Sequence, residues 1–194
     1  MLDELWRVLV EECDALNGVA WKWQAADGAM GKARHGGDEV GKNPTDRGKQ
    51  GTKRSILVDA EGGPRGIVVA GANVHDTKLL SKTIEAIIVE RPTQAEHEPH
   101  LCLDKGYDNP TGHGTVNEQD DIGHIRPIKE EGVTRKHKGK PRRWVVERTL
   151  GWLNRWRGVL VRYEKKACND LGVLQLACAL LGYRRLHGMG VALR

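Results

Sequence analysis

The sequence predicts an α/β fold, a mixed β-sheet with helices on its faces, preceded by a short N-terminal helix. Three observations carry this reading. The periodicity of apolar residues runs helix, strand, loop, strand, strand, helix, strand, strand, helix, helix, an interleaving that a mixed sheet covered by helices satisfies. A chain of 194 residues is long enough for one domain with a sizeable core. Hydrophobic residues at 39% against 29% charged, with a mean hydropathy of −0.54, exclude a disordered or membrane-embedded chain.

Leu2, Leu5, Trp6, Leu9, Val10, Cys13 and Leu16 recur at helical spacing and predict an amphipathic helix over 2–16, closed by Asn17-Gly18. VAWKWQAA (19–26) alternates large apolar and polar side chains, as a strand does. Residues 28–51 hold seven glycines and predict a long loop, whose length argues for a function. KRSILVD (53–59) and GIVVAGA (66–72) read as two strands of a hairpin joined by AEGGPR. Asp76 is placed to cap a helix over 77–90. HLCLD (100–104) and GHIRPI (123–128) read as strands, while 107–121 shows no clear period. Pro141 stops a loop over 129–141, and two helices follow at 142–157 and 170–186.

The amphipathic, acidic start MLDELWRVLVEECDAL has the wrong chemistry for a signal or transit peptide, and every apolar run falls short of the ~20 residues of a membrane helix. Cys13, Cys102, Cys168 and Cys178 lie far apart and predict reduced thiols and a cytoplasmic address. The net charge of +5 is unevenly spread: Arg126 to Lys166 holds 14 Lys/Arg against 4 Asp/Glu, and the remainder is acidic. Such a segment fits a polyanion, nucleic acid first, or a solvated loop without a partner.

Candidate carboxylates sit at element ends. Asp27 follows the first strand and precedes Gly28; Asp104 ends HLCLD before Lys105-Gly106. A strand-end carboxylate with glycine beside it presents oxygen into a crevice, although either residue alone also reads as a turn. In RRWVVERTLGWLNRWR, the apolar residues Trp144, Val145, Val146, Leu150, Trp152, Leu153 and Trp156 cover an arc of roughly 160°. Arg143, Glu147 and Asn154 fall within about 40° of one another at its border. The tryptophans read as core, the alternative being base-stacking surfaces. Together the three acids are hard oxygen ligands suited to Mg²⁺ or Mn²⁺ facing a phosphodiester.

Four stretches, WKWQAADGAMGKA (21–33), GKNPTDRGKQGTKRSILVDAEGGPRGIVVAGANVHDTKLL (41–80), LCLDKGYDNP (101–110) and RRWVVERTLGWLNRWRGVLVRYEKKACNDLGVLQLACALL (142–181), carry a resemblance. The chain resembles the bacterial insertion-sequence transposases of the DDE class, in the superfamily of insertion-sequence families four and five, from about residue 20 to 186. The resemblance implies an RNase H-like fold, with Asp27, Asp104 and Glu147 as the acidic triad holding two Mg²⁺ or Mn²⁺ ions. It implies cleavage at transposon DNA ends by water, then attack of the freed 3′-hydroxyl on target DNA. Lys136, Lys138, Lys140, Arg142, Arg143 and Asn154 would meet DNA. The family's glutamate signature has tyrosine, arginine and lysine where this chain has Lys140, Arg143 and Asn154, so only the arginine agrees.

The expected organisation is an N-terminal helix over 1–18, a remnant or the end of a missing region, a catalytic domain over 19–188 and a tail over 189–194. Such transposases usually carry a longer front, so the chain fits one frame of a frameshifted pair or a truncated copy. Expected partners are double-stranded DNA at transposon ends and target, a second copy in a homodimer or higher multimer, and an upstream reading-frame product. No membrane is expected, and the address is the bacterial cytoplasm at the nucleoid. The alternatives are a DNA-binding remnant without cleavage activity and an RNase H-like nuclease or resolvase.

Overall fold

The computed structural model describes residues 1–92, 98–125 and 142–190. Its elements are, in order, α1 (Leu2–Ala15), β1 (Trp23–Ala33), β2 (Gly41–Lys42), β3 (Gln50–Asp59), β4 (Pro64–Gly71), α2 (Thr77–Glu85) and β5 (His100–Leu103). A 3-10 turn at Lys105–Tyr107 leads to α3 (Pro110–Glu118), β6 (Ile122–Ile125), α4 (Trp144–Leu153), α5 (Arg157–Leu160), β7 (Val161–Arg162) and α6 (Ala167–Gly188).

The sheet is mixed. β1 lies at its centre, antiparallel to β3, which pairs antiparallel with β4; on the other side β5 and then β6 run parallel to β1. Three antiparallel strands followed by two parallel ones, with helices on both faces, make the fold RNase H-like. Alternation along the strands divides the core in two, because successive side chains leave opposite faces. Ala25, Ile56, Val58 and Cys102 face a layer containing Trp6, Val10, Val146, Leu153, Leu174 and Cys178. Ala26, Leu57, Leu101 and Leu103 face the other side, with Leu80, Ile84, Tyr107 and Val116. The first layer is built by α1, α4 and α6, the second by α2, α3 and the 3-10 turn.

Several expectations change. The loop expected over 28–51 is in large part strand: β1 continues to Ala33, and Gly28 and Gly31 pair with Ser55 and Thr52 of β3. A Cβ at position 28 would meet Asp76 Oδ1 at 2.2 Å, so a side chain there would push that carboxylate from its place beside Lys53. The helix expected over 77–90 ends at Glu85, since Ile88 donates its backbone N–H to Arg65 and Ile87 bridges Gly66. Asp76 makes no side-chain cap; it turns to the buried ammonium of Lys53, 3.0 Å away, which also donates to the Val74 carbonyl. The patternless 107–121 contains α3, started by the Asn109 side chain accepting from Gly112 N–H, with Pro110 in the first turn. The helix expected over 142–157 breaks after Leu153, and Trp156 is extended before α5.

Nor are the tryptophans uniformly core. Trp6 and Trp21 are buried, but Trp144 is 39% exposed and Trp152 and Trp156 are half-buried. The remainder of the expected strand past Ile125, and Lys136, Lys138 and Lys140, lie outside the described residues.

A buried ion cluster ties the β3–β4 hairpin to α6. Asp59, fully buried, accepts from Arg65 at 2.6 Å and Arg185 at 2.8 Å, and from the backbone N–H groups of Glu61 and Gly63. Burial pushes its carboxyl up, but the two guanidinium groups and these hydrogen bonds more than reverse that and hold it below the ordinary value. A depressed acid contributes stability that is present above its unfolded value, near 3.8, and lost as the pH falls through the lower folded one. Asp59→Asn is therefore expected to cost about 3–5 kcal/mol at pH 7, because Arg65 is left buried without its partner. Urea unfolding should show that cost at pH 7 and a shrinking gap between variant and wild type below about pH 4.

Candidate active site

Strand register accounts for half of the site. Trp23, Gln24 and Ala25 of β1 pair in parallel with His100, Leu101 and Cys102 of β5. Continuing that register by two residues sets Asp104, just past β5, beside Asp27 of β1, on strands about 4.8 Å apart. The pleat decides the face: Asp27 has the parity of Ala25, and Asp104 that of Cys102, so both side chains leave toward the layer that holds α4.

Helix α4 supplies the other half. Its buried stripe of Val145, Val146, Thr149, Leu150 and Leu153 fixes the rotation of the helix on the sheet. That leaves Arg143 and Glu147, four residues apart, on the border facing the strand ends. Arg143 reaches all three acids. Its Nη1 donates to Asp27 Oδ2 at 3.3 Å, its Nη2 lies 2.6 Å from Glu147 Oε1, and its Nε lies 4.0 Å from Asp104 Oδ1. One guanidinium thus gathers the three carboxylates predicted from the sequence. The other oxygen of Asp27 accepts from Gly28 N–H at 2.7 Å, and Asp104 Oδ1 accepts from Lys105 N–H at 2.7 Å, starting the 3-10 turn.

The field at the site is negative. Burial pushes the Asp27 carboxyl up to about 6, with Asp104 and Asp76 adding to the rise; the Gly28 N–H and Arg143 offset only part of it. Tyr107, buried on the opposite side of the sheet, is pushed up by burial first and then by Asp76, Asp27 and Asp104. The donors are all hard carboxylate oxygens, and a cation already stands among them in the form of Arg143, which fits a divalent ion in chemistry and in charge. Among the described residues, no three acidic, histidine or cysteine side chains are close enough in this arrangement to close around one ion. Arg143 stands between the three carboxylates in this arrangement.

The remaining residues expected to meet DNA are dispersed. Arg142 lies over the Trp23 ring at 3.9 Å, and that ring stacks on His100 at 4.1 Å. Asn154 is away from the acids: its side-chain oxygen accepts from the buried Arg54 at 2.8 Å, and Arg54 also holds the Val159 carbonyl. This bond secures the break after α4. The Lys53–Asp76 pair beside Gly28 was missed by sequence reasoning; the glycine directly after Asp27 was its one signal.

Sequence comparisons with known proteins agree on one class. A family model described as Transposase DDE domain matches residues 22–181. A putative transposase for insertion sequence element IS402 from Burkholderia cepacia is 33% identical over 158 residues, covering 79% of this chain and 73% of that protein. Among solved structures, the Mos1 strand transfer complex is similar over 100% of this chain with a TM-score of 0.41 and 8% identity, and the chain spans 62% of that protein's length. The Mos1 transposase catalytic domain with Raltegravir and Mn gives a TM-score of 0.40 and 10% identity over 100% of this chain and 94% of that one.

A raised acid costs stability wherever the unfolded chain ionises it. The cost is absent below the unfolded value of 3.8, grows between about pH 4 and 6, and is constant above. In metal-free protein, Asp27→Asn is expected to raise stability at pH 8 by on the order of 1–3 kcal/mol. The gain should vanish below about pH 4 when unfolding is followed across pH. An unchanged gain at pH 3 would mean that packing, not charge, is responsible.

Proposed function

Because the chain belongs to the Transposase DDE domain family, we propose that it is the catalytic domain of a transposase, cleaving DNA at transposon ends and joining the freed strand to target DNA. The observation that supports this most is the convergence of Asp27, Asp104 and Glu147, from the central strand, a neighbouring strand end and a helix, on the single guanidinium of Arg143. The substrate is a phosphodiester, and the arrangement suits in-line displacement at phosphorus.

Asp27 and Asp104, side by side on adjacent strands, would hold two Mg²⁺ or Mn²⁺ ions, with Glu147 completing the set. Such ions sharpen the attacking oxygen and stabilise the leaving one. The chain's own residues do the rest. Burial of Asp27 keeps its oxygen poorly hydrated and ready for a cation. Arg143, once released from the carboxylates, has a planar fork suited to a phosphate. Arg142 and the lysines Lys136, Lys138 and Lys140 would neutralise flanking phosphates and make binding salt-sensitive. A second copy on DNA, and an upstream reading-frame product, remain part of this reading. Among the described residues no helix is long and apolar enough to cross a membrane.

Glu147→Gln separates catalysis from folding. Glu147 is half exposed and its pair with Arg143 lies at the surface, so stability should change by no more than about 0.5 kcal/mol. Cleavage and strand transfer of pre-cut ends with Mn²⁺ should fall by orders of magnitude. Cleavage that persists in the folded variant would remove Glu147 from the site. Cleavage by wild type without joining would favour a nuclease, and binding without either would favour a DNA-binding remnant.

A further inference from the structure

Beyond the acids, α4 carries a second chemistry on its solvent side. Trp144, Arg148 and Trp152 follow at four-residue intervals and form one stripe, rotated by roughly 100° from the edge that bears Glu147. The Arg148 guanidinium lies over both rings, 4.5 Å from the Trp144 centroid and 4.7 Å from that of Trp152. Arg155 continues the stripe past the helix end, and Arg184 of α6 lies 5.8 Å over Trp156. A cavity of about 490 Å³ opens here, with Trp152, Arg155, Trp156 and Arg184 in its walls.

Charge chooses the occupant. Arg185, also in the cavity wall, is neutralised by Asp59 and Glu61, but Arg148, Arg155 and Arg184 make no ion pair among the described residues. The Glu61 carboxylate in the same wall is already taken by Arg185 at 2.6 Å. A second copy presenting the same cationic face would be repelled, whereas a polyanion is attracted. A guanidinium held over indole rings loses little freedom on binding, and on Arg148 one nitrogen, Nη2, already donates to the Glu61 carbonyl. That describes a pre-set phosphate site, with the indole edges as apolar walls for sugar. At helical rise, the seven residues from Arg148 on α4 to Arg155, two residues past its end, span about 10 Å, the rise of roughly three nucleotides on one strand of a duplex.

We propose that this tryptophan–arginine ridge is a second DNA-binding surface, which holds the phosphate backbone of duplex DNA running away from the acidic site along α4. It rests on the reading of the chain as a DNA-acting transposase, and it assigns roles to Arg148, Arg155 and Arg184 that the acidic site does not need.

The test is the salt dependence of binding by the full chain to a fluorescein-labelled duplex of mixed sequence, read by anisotropy between about 50 and 200 mM salt. Arg148→Gln/Arg155→Gln/Arg184→Gln should lower the slope of log affinity against log salt by about 2 to 3, at roughly 0.9 for each phosphate left without its arginine. The corresponding triple Arg→Lys variant should keep most of the slope, since the charges remain. Arg148 also donates to the Glu61 carbonyl. Arg155→Gln/Arg184→Gln, which spares that bond, is therefore measured alongside and should lower the slope by about 1.8. An unchanged slope in both glutamine variants, with melting temperatures like wild type, overturns the proposal. So does an unchanged slope accompanied by loss of an oligomer in sedimentation, which would make the ridge an interface between copies. Cleavage by wild type is scored separately: a lowered slope without any cleavage supports the ridge and contradicts the catalytic reading, and cleavage with an unchanged slope does the reverse.

Discussion

Three carboxylates brought to one crevice repel one another, and the structure tolerates them because Arg143 stands between them. Its fork spans Asp27 and Glu147 and reaches toward Asp104, neutralising part of a charge that burial at Asp27 makes costly. The same constraint links stability to activity. Under the proposed reading, the arginine that offsets this negative charge is also the group that would yield to admit an ion.

The rest of the fold keeps those acids where they are. The parallel register of β1 and β5 sets Asp27 and Asp104 abreast, and the pleat sends both to the side of α4. The apolar stripe of α4 packs on β1 and β3, so its polar border cannot rotate away from the strand ends. At the far end of β3 the Asp59 cluster clamps the hairpin to α6, and α6 in turn packs on α1 through residues such as Leu9, Cys13, Cys178 and Leu186. Arg54, buried beneath the break between α4 and α5, stops α4 through Asn154 and leaves Trp156 and its neighbours at the surface.

Much of this was legible in the sequence, and the losses have physical reasons. Strands with β-branched cores such as SILV and IVVA, and helices with a clean apolar stripe, announce themselves by period alone. β1 beyond Asp27 did not, because Gly28 and Gly31 read as loop when they are in fact strand residues packed close to neighbouring elements. α3 escaped because six of its nine residues are Gly, Pro, Asn or Thr, which leaves Val116 as its one large apolar side chain, and the Asn109-Pro110 start was its only signal. Asp76 had the right place for a cap, yet a buried lysine distant in sequence offered a stronger partner. Asp104 was legible at a strand end, but Asp27, expected to follow its strand, lies inside β1 and pairs with Ile56, so it was legible only as a residue type and by resemblance. That one arginine would meet all three depends on register and helix rotation, which no local pattern encodes. The exposed tryptophans were misread for the same reason: helical spacing shows a stripe but not how wide the buried part of it is.

The most direct test of the central claim is a crystal structure of the full chain soaked in Mn²⁺, read by anomalous scattering. The account predicts anomalous peaks within about 2.0–2.3 Å of oxygens of Asp27 and Asp104, a pair of ions being about 3.5–4 Å apart, with Arg143 swung away from the carboxylates. Peaks elsewhere on the molecule, or an Arg143 still bridging the acids at saturating metal, would contradict it.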